Sequence, residues 1–272
     1  MPTSRFLFWN IARKPLAPVI SALAEEQHID LVVLVECNIE SHVLLTALNA
    51  AGRSDFHLAR GLSKGIRVFT RFSRDFLRPV YESDRMMIGR LSLPARSEIL
   101  LSVAHLPSKL HQTSDSHSFE CAELAHQIAA EENKAGHQRT VLVGDFNMNP
   151  FEPGVVAAGG LHAVMSREVA SRQSRTVQGR DYRFFYNPMW NHFGDANGDT
   201  AGSYFYGASE HVSYFWNLFD QVLIRPELAA RFDPSTLSIL TSAMSQSLVR
   251  GDGRPDKEHF SDHLPIVFDL AF

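Results

Sequence analysis

Cysteine is scarce in this chain: Cys37 and Cys121 are the two in 272 residues. A disulfide framework is therefore excluded, and neither thiol shows the C-x-x-C spacing of a zinc or redox motif, so both read as free and buried. No apolar run approaches the ~20 residues that span a bilayer. Residues 1–5 lead straight into an apolar strand, leaving no room for a basic, apolar and cleavable leader. The expected setting is soluble and cytoplasmic. Internal repeats, low-complexity tracts and a Pro/Gly/Ser-rich linker are missing too. With 44% hydrophobic residues the chain can bury a sizeable core, and residues 1–272 read as a single domain. Charge of one sign is not in large excess: 26 Lys/Arg stand against 30 Asp/Glu, a net charge of -4, which argues against a general polyanion binder. The distribution is uneven, however. Residues 53–96 hold ten Lys/Arg against four Asp/Glu, a local excess of six that suits an anionic substrate as well as a solvated strand face.

What the chain does have is a series of apolar strands meeting polar residues. Phe6-Leu7-Phe8-Trp9 ends at Asn10, and Leu31-Val32-Val33-Leu34-Val35 ends at Glu36. A strand over 98–104 ends at His105, Val141-Leu142-Val143-Gly144 ends in Asp145-Phe146-Asn147, and Ser261-Asp262-His263 adjoins Leu264-Pro265-Ile266. Such clusters bring acid, base and metal-ligand groups to one edge of a sheet. Asp145 and His263 are 118 residues apart (263 minus 145), so only a folded scaffold joins them. Asp220 sits inside the apolar segment 218–224, where a carboxylate is costly to bury without a partner, and His263 is the best candidate for that partner. Each of these residues alone also reads as a turn residue capping a strand. Pro15 suits the first turn of a helix whose apolar positions are Leu16, Val19, Ile20 and Leu23. Further helices are expected at 41–50 and 116–133, and further strands near 56–60, 66–72, 86–93, 219–224 and 265–270. Many strands with few helices predict two sheets packed face to face with helices outside.

Six elements in this order resemble the endonuclease/exonuclease/phosphatase superfamily, the fold of deoxyribonuclease I, from Asn10 to His263. The resemblance implies an α/β fold of two packed mixed β-sheets flanked by helices, a four-layer α/β/β/α sandwich. It implies Mg²⁺ as cofactor, with Mn²⁺ as a substitute, held by Glu36 with Asn10 and Asp262 nearby. Asp145 then positions or deprotonates the attacking water, Asn147 donates to the phosphoryl oxygen, and His263, oriented by Asp220, acts as acid/base or phosphate donor. His105 in Val103-Ala104-His105-Leu106-Pro107-Ser108 resembles the second histidine of the deoxyribonuclease I and sphingomyelinase branches; Asp75, Glu82 and Asp84 are its unranked acidic partners. Arg85 stands where those enzymes place a phosphate-binding arginine, with Asn10 as a second phosphate contact.

Residues 182–216 contain twelve aromatics, most of which suit sheet packing, while Trp190 and Phe193 beside the polar loop 191–202 are expected to be exposed. Exposed rings there suit stacking on unpaired bases, a lipid contact or a pocket wall. Residues 244–260, with Arg250, Arg254 and Lys257, form a loop leading into Asp262, and Lys109 and His111 follow His105 on another. The reading is a divalent-metal-dependent phosphodiesterase, a nuclease and specifically an endonuclease on DNA, with DNA favoured over RNA and no stable membrane association. The alternatives are a phosphatase or phosphodiesterase on phospholipid, inositol phosphate or small nucleotide, and a binding protein without catalysis.

Overall fold

Phe8, Val33, Val103, Val143 and Val222 all belong to one buried cluster between two sheets. Each comes from an apolar strand whose alternate side chains point the other way. The computed structural model describes residues 3–50, 55–61, 65–109, 114–194, 200–207, 209 and 211–271. One sheet runs, in spatial order, Ser238–Ile239, Ile266–Ala271, Thr3–Asn10, Leu31–Val35, Ile66–Thr70 and His57–Leu58. The other runs Leu77–Glu82, Met86–Leu91, Ile99–His105, Thr140–Asp145, Asp220–Ile224, Phe185–Tyr186 and Ala163–Val164.

Both sheets are mixed for the same reason. Thr3–Asn10 and Leu31–Val35 lie parallel, joined through the helix Ala17–Glu26. Ile99–His105 and Thr140–Asp145 lie parallel, joined through the helix Ser114–Ala135. A parallel pair needs such a crossover, and the helix covers the outer face of its sheet. Ile20 and Leu23 pack with Leu7, Trp9 and Leu34 on one outer face. Cys121, Leu124 and Ile128 pack with Leu100 and Leu142 on the other. Full burial of each large aliphatic side chain contributes about 1.5–3 kcal/mol, so three such interfaces hold the four layers together. The expected α/β/β/α sandwich is the fold observed. No helix among the described residues is long and apolar enough to cross a membrane.

The local differences have physical causes. The first helix begins at Ala17 with Pro18 in its first turn, so Pro15 precedes the helix. The strand expected at 56–60 is paired only over His57–Leu58. An antiparallel ribbon, Ser174–Val177 with Arg180–Arg183, has no counterpart in the sequence reading. Its turn residues Gln178 and Gly179 have φ of 49° and 77°, both in the left-handed region that a tight two-residue hairpin turn requires. Its strands carry few apolar residues, so no hydrophobic alternation marks them.

Candidate active site

The register of three strands sets a row of catalytic-type side chains. His105 pairs with Asp145 across a parallel ladder, and Asp145 pairs with Asp220 across an antiparallel one. Side chains directly opposed share a face, and two positions along each strand lie Val103, Val143 and Val222. The apolar column between the sheets therefore ends in a polar cap of His105, Asp145 and Asp220. Asn10 caps the facing sheet in the same way, two residues beyond Phe8. Gly144 permits the close approach: a Cβ there would lie 2.0 Å from the carbonyl oxygen of Ala104.

His263 closes the cap from the C-terminal segment. Its Nδ1 lies 2.8 Å from Asp220 Oδ2 and its Nε2 3.8 Å from Asp145 Oδ2. The backbone around it is tied down on three sides. Trp9 Nε1 donates to the His263 carbonyl at 2.9 Å, the His263 amide donates to Ser261 Oγ at 3.1 Å, and Ser261 Oγ donates to the Asn10 carbonyl at 2.6 Å. Tyr204 lies over the imidazole with ring centroids 4.6 Å apart. Burial opposes a charged imidazole here, but the facing carboxylates of Asp220 and Asp145 outweigh it and hold His263 up at about 10. The expected Asp220–His263 pair is thus present, with Asp220 fully buried.

A second, more open cluster adjoins the first. Asn10 Nδ2 donates to Asp145 Oδ2 at 2.9 Å and reaches Glu36 Oε1 at 3.4 Å, while Asn10 Oδ1 accepts from the Ala12 amide. His105 Nε2 lies 3.4 Å from Glu36 Oε1 and 3.9 Å from Asp145 Oδ2. Arg13 Nε lies 3.4 Å from Glu36 Oε2. The hydrogen bond from His105 is the largest influence on Glu36, and despite partial burial the carboxyl is held down to about 2. Glu36 and Asn147 have φ of 48° and 51°, a left-handed conformation that costs non-glycine residues roughly 1–3 kcal/mol. Both turn the chain sharply just beyond a strand end. The Asn147 amide donates to Asp145 Oδ1 and its Nδ2 to the Leu106 carbonyl, each at 2.9 Å, which ties the Asp145 and His105 segments together.

Other expectations fare differently. The acidic neighbours of His105 are Glu36 and Asp145 rather than Asp75, Glu82 or Asp84; Asp75 pairs instead with Arg60 at 2.7 Å. Arg85 offers its carbonyl to the His105 amide at 2.9 Å, but its side chain lines a small hollow with Glu120, Glu123 and Gln127. Asp262 is half-buried, close enough to His263 and Tyr204 to act on both electrostatically. In the basic stretch, Arg60 and Arg90 pair with Asp75 and Glu98, and Arg71 lies over the Phe56 ring. Arg53, Lys64, His111 and residues 195–199 of the polar loop lie outside the described residues. Phe193 is exposed and Trp190 half-buried, both against Phe151. Arg254, from the loop before Asp262, lies over the Phe205 ring at 4.1 Å. Tyr204, a neighbour of His263, and Ser203, whose Oγ accepts from the Asp220 amide, carry no distinguishing mark in the sequence, where Tyr204 is one ring among twelve.

Atoms of Asp145, Asp220 and His263 lie within 4.8 Å of one another, close enough to hold a metal ion. Asp220 already spends Oδ2 on His263, whereas Glu36, with 26% of its side chain exposed, faces the same space from the opposite sheet. Carboxylate-rich donors fit a hard divalent cation that keeps part of its water shell.

A two-sheet sandwich with carboxylates, histidines and an asparagine gathered at one edge defines a class of phosphoester hydrolases. The sequence profile described as Endonuclease/Exonuclease/phosphatase family matches residues 7–263, and the chain belongs to that family. Enzymes of the family typically use divalent metals. None of the curated proteins matches the chain. Among solved structures, an endonuclease/exonuclease/phosphatase family protein from Bacteroides thetaiotaomicron is similar, with TM-score 0.59 and 14% identity over 99% of this chain and 95% of that one. An AP endonuclease from Archaeoglobus fulgidus matches with TM-score 0.56 and 12% identity over 99% and 100%. D. rerio TDP2, complexed with single strand DNA product, matches with TM-score 0.56 and 15% identity over 100% of both chains. These likenesses concern the fold.

Proposed function

We propose that residues 1–272 form one domain that acts as a Mg²⁺-dependent phosphodiesterase cutting nucleic acid, DNA in preference to RNA, within the strand. The observation that carries the reading is the cap of Asp145, Asp220, His263, His105 and Glu36 at one edge of the sandwich. Glu36 would hold the metal, with Asn10 and Asp262 nearby. When bound, the ion polarises the phosphoryl oxygen and offsets the charge that develops on it. Asp145, hydrogen-bonded by Asn10, positions the attacking water and takes its proton. His263, kept as an imidazolium by Asp220 and Asp145, donates to a phosphoryl oxygen in preference to acting as the base. Asn147 adds a second donor, Asn10 contacts phosphate, and His105 protonates the leaving oxygen. The local basic excess at 53–96 and the open aromatic surface beside the cap support a polyanionic, base-bearing substrate.

Circular DNA, supplied both supercoiled and single-stranded, tests the reading because a circle has no ends. Linear or nicked product that requires Mg²⁺ and is lost in His263→Ala supports it. Intact circles, together with phosphate released from inositol phosphates or phospholipid, replace it.

A further inference from the structure

Beside Asn147 the catalytic edge opens into a cavity of about 260 Å³. Four of its ten lining residues are aromatic. Tyr204 and Phe219 contribute, their rings stacked at 5.1 Å, and Tyr204 also lies over the His263 imidazole. Tyr206 ends the strand Tyr204–Tyr206, and Tyr214 directly precedes its antiparallel partner Phe215–Asn217. Lys109 also lines it, paired with Glu152 and 5.3 Å over the Phe219 ring. The cavity therefore shares walls with the catalytic cap.

The outer two rings, Tyr206 and Tyr214, are not core. Tyr206 is 46% exposed and Tyr214 54%, although aromatic side chains are large apolar surfaces that ordinarily bury. The hydroxyls of Tyr206, Tyr214 and Ser213 have no hydrogen-bond partner among the described residues. Phe215, between Tyr214 and Trp216, has φ of 58°, a marked outlier for a bulky residue.

We propose that this cavity takes one unstacked nucleobase of the substrate, next to the phosphate being cut, so that single-stranded or frayed nucleic acid is the preferred form. The proposal rests on the nucleic-acid reading given above. Exposed tyrosine rings offer a flat face to any base. The volume falls just below the ~300–1,000 Å³ of ordinary small-molecule sites, which suits one ring system and leaves no room for the paired acyl chains of a phospholipid. The free hydroxyls supply donors and acceptors for the base edge, and the Lys109 ammonium suits the neighbouring phosphate. Leaving a duplex stack costs free energy that a single strand has already spent.

The test uses single-stranded oligonucleotides with one mapped cut position, in which a tetrahydrofuran abasic residue is walked through the flanking positions. The expected result is a fall in kcat/KM of about tenfold to a hundredfold at one position beside the cut, as loss of one base stack implies. The Tyr206→Ala/Tyr214→Ala variant, melting at the wild-type temperature, should cut the intact and abasic strands alike, at the slower rate. Equal wild-type rates at every position overturn the base pocket while leaving nucleic-acid hydrolysis intact. Failure to cut any oligonucleotide with Mg²⁺, while inositol phosphate or phospholipid is hydrolysed, overturns both readings.

Discussion

Two histidines approach the same carboxylate from opposite sides, and their surroundings differ. His263 has 8% of its side chain exposed and faces Asp220, whose side chain is 0% exposed. His105 has 19% exposed and faces Glu36 at 26%. The sealed pair is short, 2.8 Å, and fixed by Trp9, Ser261 and Tyr204; the open pair is longer, 3.4 Å, and reached by Arg13 as well. In the sealed pair low polarity strengthens the attraction and gives the imidazole one settled charge state. In the open pair the carboxylate retains a side toward solvent, where a cation and its waters can enter. One edge of one fold thus supplies both a preorganised donor and a replaceable contact, by differing in burial.

The largest effect should come from breaking the sealed side. His263→Ala is expected to lower kcat by about 10³-fold, at the upper end for loss of a positioned charged donor, while His105→Ala costs about 10²-fold, at the lower end for a general acid. His105→Ala should keep the wild-type melting temperature within a few degrees, whereas His263→Ala should stay folded at the assay temperature but melt lower, because Asp220 loses its buried partner. Steady-state rates with saturating Mg²⁺, read beside thermal melting, check the ranking. Equal losses for the two would end the distinction between the sides, and unfolding of His263→Ala would make its role structural.

A smaller effect belongs to the open side. Glu36→Gln keeps the shape of the side chain but removes the charge that His105 and Arg13 now satisfy. The Mg²⁺ concentration for half-maximal rate should rise at least about tenfold, as removal of a charged metal contact implies. Activity at saturating Mg²⁺ should recover in part. A metal titration superimposable on wild type would remove Glu36 from the metal site and leave it a partner of His105 only.

Much of this division could be read from the chain, and the reason is periodicity. Strands such as Leu31–Val35 and Thr140–Asp145 are apolar on both faces, so the polar residue ending each one stood out against its neighbours. Asp220 stood out because a carboxylate within 218–224 demands a partner, and His263 is that partner. The neighbours of His105 were not legible, because Glu36 comes from the other sheet and spacing along the chain says nothing of which strand ends meet. Tyr204 was hidden for the opposite reason, being one aromatic in a segment full of them. The left-handed turns at Glu36 and Asn147 were hidden as well, since neither is glycine. The ribbon at 174–183 lacks an apolar face, so alternation could not reveal it.

The smallest effect sharpens the comparison through pH. Glu36 is held down from 4.5 to about 2, chiefly by the hydrogen bond from His105. A carboxyl whose folded value lies below its unfolded value binds more protons when unfolded, so folding stability rises with pH across that interval. The contribution is fully present above about 4.5 and is lost as pH falls through about 2. Glu36→Gln has no such group, so its melting temperature should fall less steeply between pH 5 and pH 2 than that of the wild type. Partial exposure keeps the difference small, because solvent screens the pair. His105→Ala should flatten the curve in the same direction, since it removes the main cause of the shift. Parallel curves for all three proteins would mean that the Glu36–His105 contact contributes nothing to the folded state.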